Sequence, residues 1–136
     1  MSKLKVLVPL DGSEKSMHSL NWLKNFFGKE DLEITLLYVI EVVYTGEMVP
    51  VTTFENIGLE SKQVLENAAK ELEGYKVNKL SPTGYVPDLI LEKAKDGNYD
   101  MIVMTKSSVK GISRIIGSVT SKVVRNSEVA VIVVPE

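Results

Sequence analysis

Cysteine is absent from this 136-residue chain, which excludes disulfides, thiolate metal sites and a cysteine nucleophile together. Histidine is almost absent. His18 is the single one, and its neighbours Met17, Ser19 and Leu20 form no metal or catalytic set with it. A Ser-His-Asp arrangement would have to use His18, and no Gly-x-Ser-x-Gly elbow is present. An excess of one charge is lacking too: 16 basic residues against 18 acidic ones create no basic field for nucleic acid and no pull towards an anionic membrane. No run reaches the roughly 18 consecutive apolar residues that a membrane helix requires. The N-terminal segment passes from a short apolar stretch straight into Asp11-Gly12-Ser13, without the length or cleavage site of a secretion signal. These absences lead to the expectation of a cytoplasmic protein with neither a nucleic-acid nor a membrane partner.

What is present alternates between two periods. Leu4 to Leu10 is a leucine and β-branched run closed by Asp11-Gly12-Ser13, a turn and helix-cap signature. Glu14 to Phe27 follows with Met17, Leu20, Leu23 and Phe27 at helical spacing, and Gly28 ends it. Leu32 to Val43 is apolar almost without alternation from Ile34 onwards, as expected of a strand covered on both faces. Tyr44 to Thr53 reads as a long loop. Glu55 to Glu73 is the longest helix, Tyr75 to Leu80 a weaker strand near an edge, and Asp88 to Lys95 a helix with Pro87 in its first turn. A strand at Met101 to Met104, a short helix opened by Gly117-Ser118 and a strand at Val129 to Val134 complete the series. No linker or repeat interrupts it, so one domain spanning 1–136 and one doubly wound α/β sheet are expected.

The last third carries most of the chemistry. The strand ending at Met104 runs into a hydroxyl-rich, basic loop, Thr105-Lys106-Ser107-Ser108-Val109-Lys110-Gly111, before Gly117-Ser118 opens the next helix. A helix start carries about half a positive charge and several unpaired N–H groups, and so suits phosphate. An ordinary helix cap is the alternative reading of Gly117 and Ser118, and solvated surface charge that of Lys106, Lys110 and Arg114. The Lys110-Gly111 pair lacks the spacing of a P-loop.

Three stretches, taken together, resemble the universal stress protein family over essentially the whole chain. They are Val8-Pro9-Leu10-Asp11-Gly12-Ser13, then Leu36-Leu37-Tyr38-Val39-Ile40-Glu41, and a tail comprising Asp100 to Met104, Gly111-Ile112-Ser113-Arg114, Gly117-Ser118-Val119 and Val131 to Pro135. The resemblance implies a five-stranded parallel, Rossmann-like α/β fold of the adenine nucleotide alpha hydrolase type. It also implies a homodimer paired through Val129 to Val134 and, in one branch, a site for ATP or AMP, with magnesium only if ATP is bound. Carried over residue by residue, the nucleotide contacts are Pro9, Leu10 and Asp11 after the first strand and Val39 after the second. The rest are Met104, Thr105 and Ser108 in the loop, then Gly117, Ser118, Val119 and Thr120 at the helix start. Asp11 has a second reading, as the cap of the first helix.

The chain departs from the ATP-binding branch in this loop. That branch has Gly-x-x-Gly, nine further residues, and Gly-Ser or Gly-Thr, whereas here Thr105 and Ser108 stand at the two glycine positions with only eight residues before Gly117. Keeping nine would put Met104 and Ser107 there; either way both loop glycines are gone and Gly117-Ser118 alone is kept. Glycine there gives positive φ at low cost and lets backbone approach an anion. Two forms of a regulatory stress protein acting by binding rather than turnover therefore stand open: one that holds a nucleotide, and one that works only through unidentified protein partners. A slow ATPase or nucleotide hydrolase is the rival class. It would need a metal, for which Glu41 and Glu47 after the second strand are the candidates, since no paired carboxylates and no base stand near the loop.

Overall fold

A computed structural model of the chain describes residues 2–41, 51–106 and 116–135, with backbone alone at 51–57. In chain order the elements are β1 (Leu4–Leu10), a 3₁₀ turn (Lys15–Met17), α1 (His18–Phe26), β2 (Leu32–Tyr38), α2 (Val51–Glu71) and β3 (Lys76–Leu80). Then come α3 (Val86–Asp96), β4 (Met101–Thr105), α4 (Ser118–Asn126) and β5 (Ala130–Val134). The strands form one five-stranded sheet in the order β3-β2-β1-β4-β5, and every neighbouring pair is parallel.

Each central strand supplies both cores, because successive side chains point to opposite faces. Val6, Val8 and Leu10 of β1, Ile34 and Leu36 of β2 and Val103 of β4 pack under α1 and α2. Leu7, Leu37, Ile102 and Met104 turn the other way, against Ile90 and Ala94 of α3 and Val123 of α4. This is the physical origin of the unbroken apolar runs: both faces of these strands are roofed by helices. The two edge strands differ. β3 is largely exposed and carries Lys76 and Lys79, charges that blunt an open edge, whereas β5 is an all-apolar Ala-Val-Ile-Val-Val. No described helix is long and apolar enough to cross a membrane.

Several expected boundaries move, most by a residue or two. β2 was expected to run to Val43, yet its ladder stops at Tyr38, opposite the last residue of β1, Leu10. Beyond that point Ile40 makes only an isolated bridge to Thr83, and Val42 and Val43 lie outside the described residues. The long helix starts at Val51 rather than Glu55, so residues 51–53 of the expected loop are helical and 44–50 lie outside the described residues. The first helix is split into a 3₁₀ turn and α1, since side-chain bonds between Ser13 and Ser16 tighten its start.

Where two strands are in register, charge pairs follow. Glu33 of β2 stands opposite Lys76 of β3, with Nζ and Oε1 2.6 Å apart. The hydrogen bond from Lys76 holds the Glu33 carboxyl below its ordinary 4.5, against an opposing contribution from burial. A carboxylate with a depressed folded pKa adds stability above its unfolded pKa and loses it as pH falls through the folded one. Lys76→Met is therefore expected to lower stability near neutral pH by at most about 1 kcal/mol. The difference from the parent should shrink to nothing on acidification, as followed by urea unfolding across a pH series.

Candidate functional site

Pairing between β1 and β4 lapses early. The two strands are in register only at Val6 with Met101 and Leu7 with Ile102, while β1 and β2 stay paired up to Leu10 and Tyr38. Pro9 lies just past that point. A proline supplies no N–H to a ladder, and within sheets it occurs where pairing is incomplete. The chain then leaves β1 towards α1 on one face and leaves β4 towards α4 on the other, since α1 and α4 pack in different cores. This divergence is the switch point at which open α/β sheets hold their ligands.

A cavity of about 270 Å³ occupies this place. Pro9, Leu10 and Asp11 line it from β1, Met104 and Thr105 from β4, and Gly117, Ser118, Val119 and Thr120 from the start of α4. A second cavity of about 330 Å³ adjoins it, sharing Leu10, Asp11, Glu41 and Val86, and reaches Val39 at the end of β2. Ten of the eleven residues expected at a ligand site thus fall on one continuous crevice, nine on the first cavity and Val39 on the second. Ser108, like Lys110 and Arg114, lies outside the described residues.

Local hydrogen bonding sets the walls. Asp11 Oδ1 accepts from the Ser13 N–H at 2.9 Å and the Ser13 hydroxyl at 2.5 Å. The Ser13 hydroxyl oxygen in turn accepts the Ser16 N–H at 3.2 Å, and Ser16 Oγ donates to the Ser13 carbonyl at 2.8 Å. Asp11 thus braces the turn before the first helix while lining the cavity, and both the 3₁₀ turn and α1 begin without a side-chain cap bond. Gly12, at φ +86°, makes the reversal that lets this knot close, a conformation L side chains rarely adopt.

On the opposite wall, Thr120 Oγ1 donates to the Thr105 carbonyl at 3.0 Å in a buried bond. The Gly117 N–H donates to the Lys106 carbonyl at 2.9 Å, and the Lys106 N–H to the Val134 carbonyl at 3.2 Å. These bonds fix β4, α4 and β5 to one another where the loop departs and returns. In α4 the Ser121 N–H is bonded to the Gly117 carbonyl, so the N–H groups of Ser118, Val119 and Thr120 have no acceptor within the helix. Gly117 caps α4 without a side-chain hydrogen bond, at φ −60° and ψ 159°. The helix start lining the cavity thus offers first-turn N–H groups that have no acceptor within α4, together with the positive end of the dipole.

The geometry revises the expectation about glycine. Thr105 ends β4 in extended backbone, and Asn98 is the only described non-glycine residue with positive φ. At Gly117 the backbone is also one that any residue adopts. Neither described position needs glycine for its φ, so the Thr105 substitution carries no backbone strain.

Several lining residues were not singled out from the sequence as ligand contacts. Ser16 was hidden in what read as regular helix, and Ile90 read as plain core. Tyr38, Glu60 and Val86 are brought to the crevice only by the fold. Burial, then the nearby carboxylates of Glu60 and Asp11, raises the Tyr38 phenol above its ordinary 10.0, so it stays a neutral donor. Glu41, a candidate metal ligand from sequence, lines both cavities, and among the described residues no three of His, Asp and Glu are placed to hold a metal ion.

Comparison with known proteins agrees with this architecture. Residues 4–135 match the model of the universal stress protein family. Universal stress protein MJ0531 of Methanocaldococcus jannaschii is 29% identical over 96% of this chain and 81% of its own length. The solved structure of protein MJ0577 superposes with a TM-score of 0.80 at 33% identity, covering 100% of this chain and 98% of that one. A universal stress protein family member from Arabidopsis thaliana, solved with AMP bound, superposes at 0.73 with 19% identity, over 98% and 92% of the two chains.

The wall built by Thr120 is directly testable. Thr120→Val keeps the shape of the side chain and removes the donor to the buried Thr105 carbonyl, an expected loss of about 1–3 kcal/mol. The midpoint of urea unfolding should fall with its slope unchanged.

Proposed function

From the chain's membership of the universal stress protein family, we propose that it is a regulatory binding protein whose crevice takes an adenine nucleotide, AMP or ATP. The observation that carries this reading is the start of α4, its first amides without an acceptor in the helix, at the cavity where β1 and β4 part. A phosphate on the Ser118 to Thr120 amides gains the helix dipole and donors that no intrahelical acceptor uses. The adjoining cavity has apolar walls at Val39, Ile40 and Val86 for a base, with Asp11 and Glu41 as acceptors for amine or hydroxyl groups. The AMP found in the Arabidopsis relative supports the same ligand class. Magnesium belongs to this reading only as the companion of ATP, and a cytoplasmic setting completes it.

The second partner in this reading is another copy of the chain. β5 is an edge strand, and its Val131, Ile132 and Val133 are half-buried rather than covered. An apolar edge with free backbone groups invites strand pairing across a two-fold axis. Val131→Lys, on that edge strand, is expected to yield monomer in sedimentation at concentrations where the parent is dimeric. A monomeric parent rejects this pairing.

For the nucleotide, the test is thermal unfolding with AMP, ADP and ATP, with and without magnesium. A ligand at one hundred times its dissociation constant stabilises by roughly 2.7 kcal/mol, a shift of several degrees for a domain of this size. Gly117→Val is expected to abolish the shift while leaving the fold, because its backbone conformation accepts valine and the new side chain sits at the α4 donors. A parent that shows no shift with any of the three rejects nucleotide binding in favour of a module acting through protein contacts. Retention of the full shift by Gly117→Val removes the α4 start from the site.

A further inference from the structure

Lys122 is the residue the crevice does not yet account for. It lies one turn beyond Ser118 on α4, and its ammonium rests 4.8 Å from the centre of the Tyr85 ring and 3.2 Å from Asp88 Oδ1. Tyr85 is the N-cap residue of α3, and the next residue, Val86, lines both cavities. Side chains on a helix lean towards its N-terminus and cover the preceding turn. The ammonium therefore rests beside the start of α3, next to the residue that lines both cavities, and one turn along α4 from Ser118.

The charge balance of the crevice gives this position its meaning. Asp11 and Glu41 line the first cavity, Glu60 joins the second, and among the described residues no cationic side chain lines either. The α4 start offers about half a positive charge and its effect fades within the first turn, enough for one phosphate group. Each further phosphate adds negative charge beyond that reach and calls for a cation. Lys122 is held only loosely where it rests. Its side chain is 40% exposed and that of Asp88 62%, and such surface pairs contribute little to stability.

On the nucleotide reading above, we propose that Lys122 is the specificity-determining residue that counts phosphates. It leaves Tyr85 and Asp88 to pair with the outer phosphates of a nucleoside triphosphate, and it contributes little to a monophosphate. Tyr85 and Asp88 act as its resting dock, so Asp88 competes with the ligand for the same ammonium.

The competition gives the test a sign that mere structure would not. Titration calorimetry of AMP and ATP is compared for the parent, Lys122→Gln and Asp88→Asn. Lys122→Gln is expected to weaken ATP about tenfold and to leave AMP within about twofold. Asp88→Asn breaks the same contact but releases the ammonium, so ATP binding should tighten while AMP is unchanged. Lys122→Arg should keep the ATP preference. If both variants weaken both nucleotides alike, the contact is only a brace between α3 and α4 and the proposal is overturned. Unchanged ATP affinity in Lys122→Gln overturns it as well. A parent that binds neither nucleotide overturns the nucleotide reading itself, a result distinct from binding that ignores Lys122.

Discussion

The parting of β1 from β4 after Leu7 and Ile102 is the constraint on which the rest of the structure depends. While two parallel strands stay paired there is no room between their ends. Once they separate, the polypeptide must leave each in a different direction, and the gap has to be walled by whatever follows. Pro9 helps to enforce the parting by withholding an N–H. The order β3-β2-β1-β4-β5 places the gap near the middle of the sheet rather than at an edge. The starts of α3 and α4 therefore converge on it from one face, and the Asp11 to Ser16 knot closes it from the other.

Those walls are made rigid by short-range bonds that leave other groups free to act. The Asp11 carboxylate braces its own turn and still lines the cavity. Thr120 spends its hydroxyl on the Thr105 carbonyl, tying the first turn of α4 to the end of β4. Its backbone N–H, like those of Ser118 and Val119, keeps no intrahelical acceptor. Side chains hold the frame while the first amides of α4, on residues that line the cavity, keep no acceptor in the helix. That division suits a binding site, in which the recognising groups must not need to reorganise when ligand arrives.

Much of this was legible from residue order because it rests on local rules. The runs at Leu4, Leu32 and Met101 are apolar because both their faces are buried, and that burial also fixed them as inner strands. Gly117-Ser118 announced a helix start, and Asp11-Gly12-Ser13 announced a turn. What stayed hidden depends on distant pairing. The end of β2 at Tyr38 is set by where β1 stops, and no property of Val39 to Val43 encodes it. The approach of Tyr85 and Asp88 to Lys122 depends on α3 and α4 lying side by side, which 34 residues of separation between Asp88 and Lys122 conceal. Ser16 was lost because a 3₁₀ turn and an α-helix share nearly the same apolar spacing.

The missing loop glycines take on a different weight once the backbone is known. A glycine-rich phosphate loop serves two ends, access to left-handed backbone and closeness of main chain to anion. Thr105 is extended and needs no left-handed conformation, so the first end does not apply there. The second is met at α4, where Gly117 lacks a side chain that would fold over the first amides. What glycine loss changes is the source of positive charge. Main-chain donors can hold one phosphate, but each added phosphate must be matched by a charged group. The described cavity walls carry carboxylates and no cation, and Lys122 stands one turn away from their donor end. On the proposed reading, the first phosphate would be read by helix geometry and any others by side-chain charge, and a sequence could then lose glycines and alter its preference among nucleotides before losing the nucleotide.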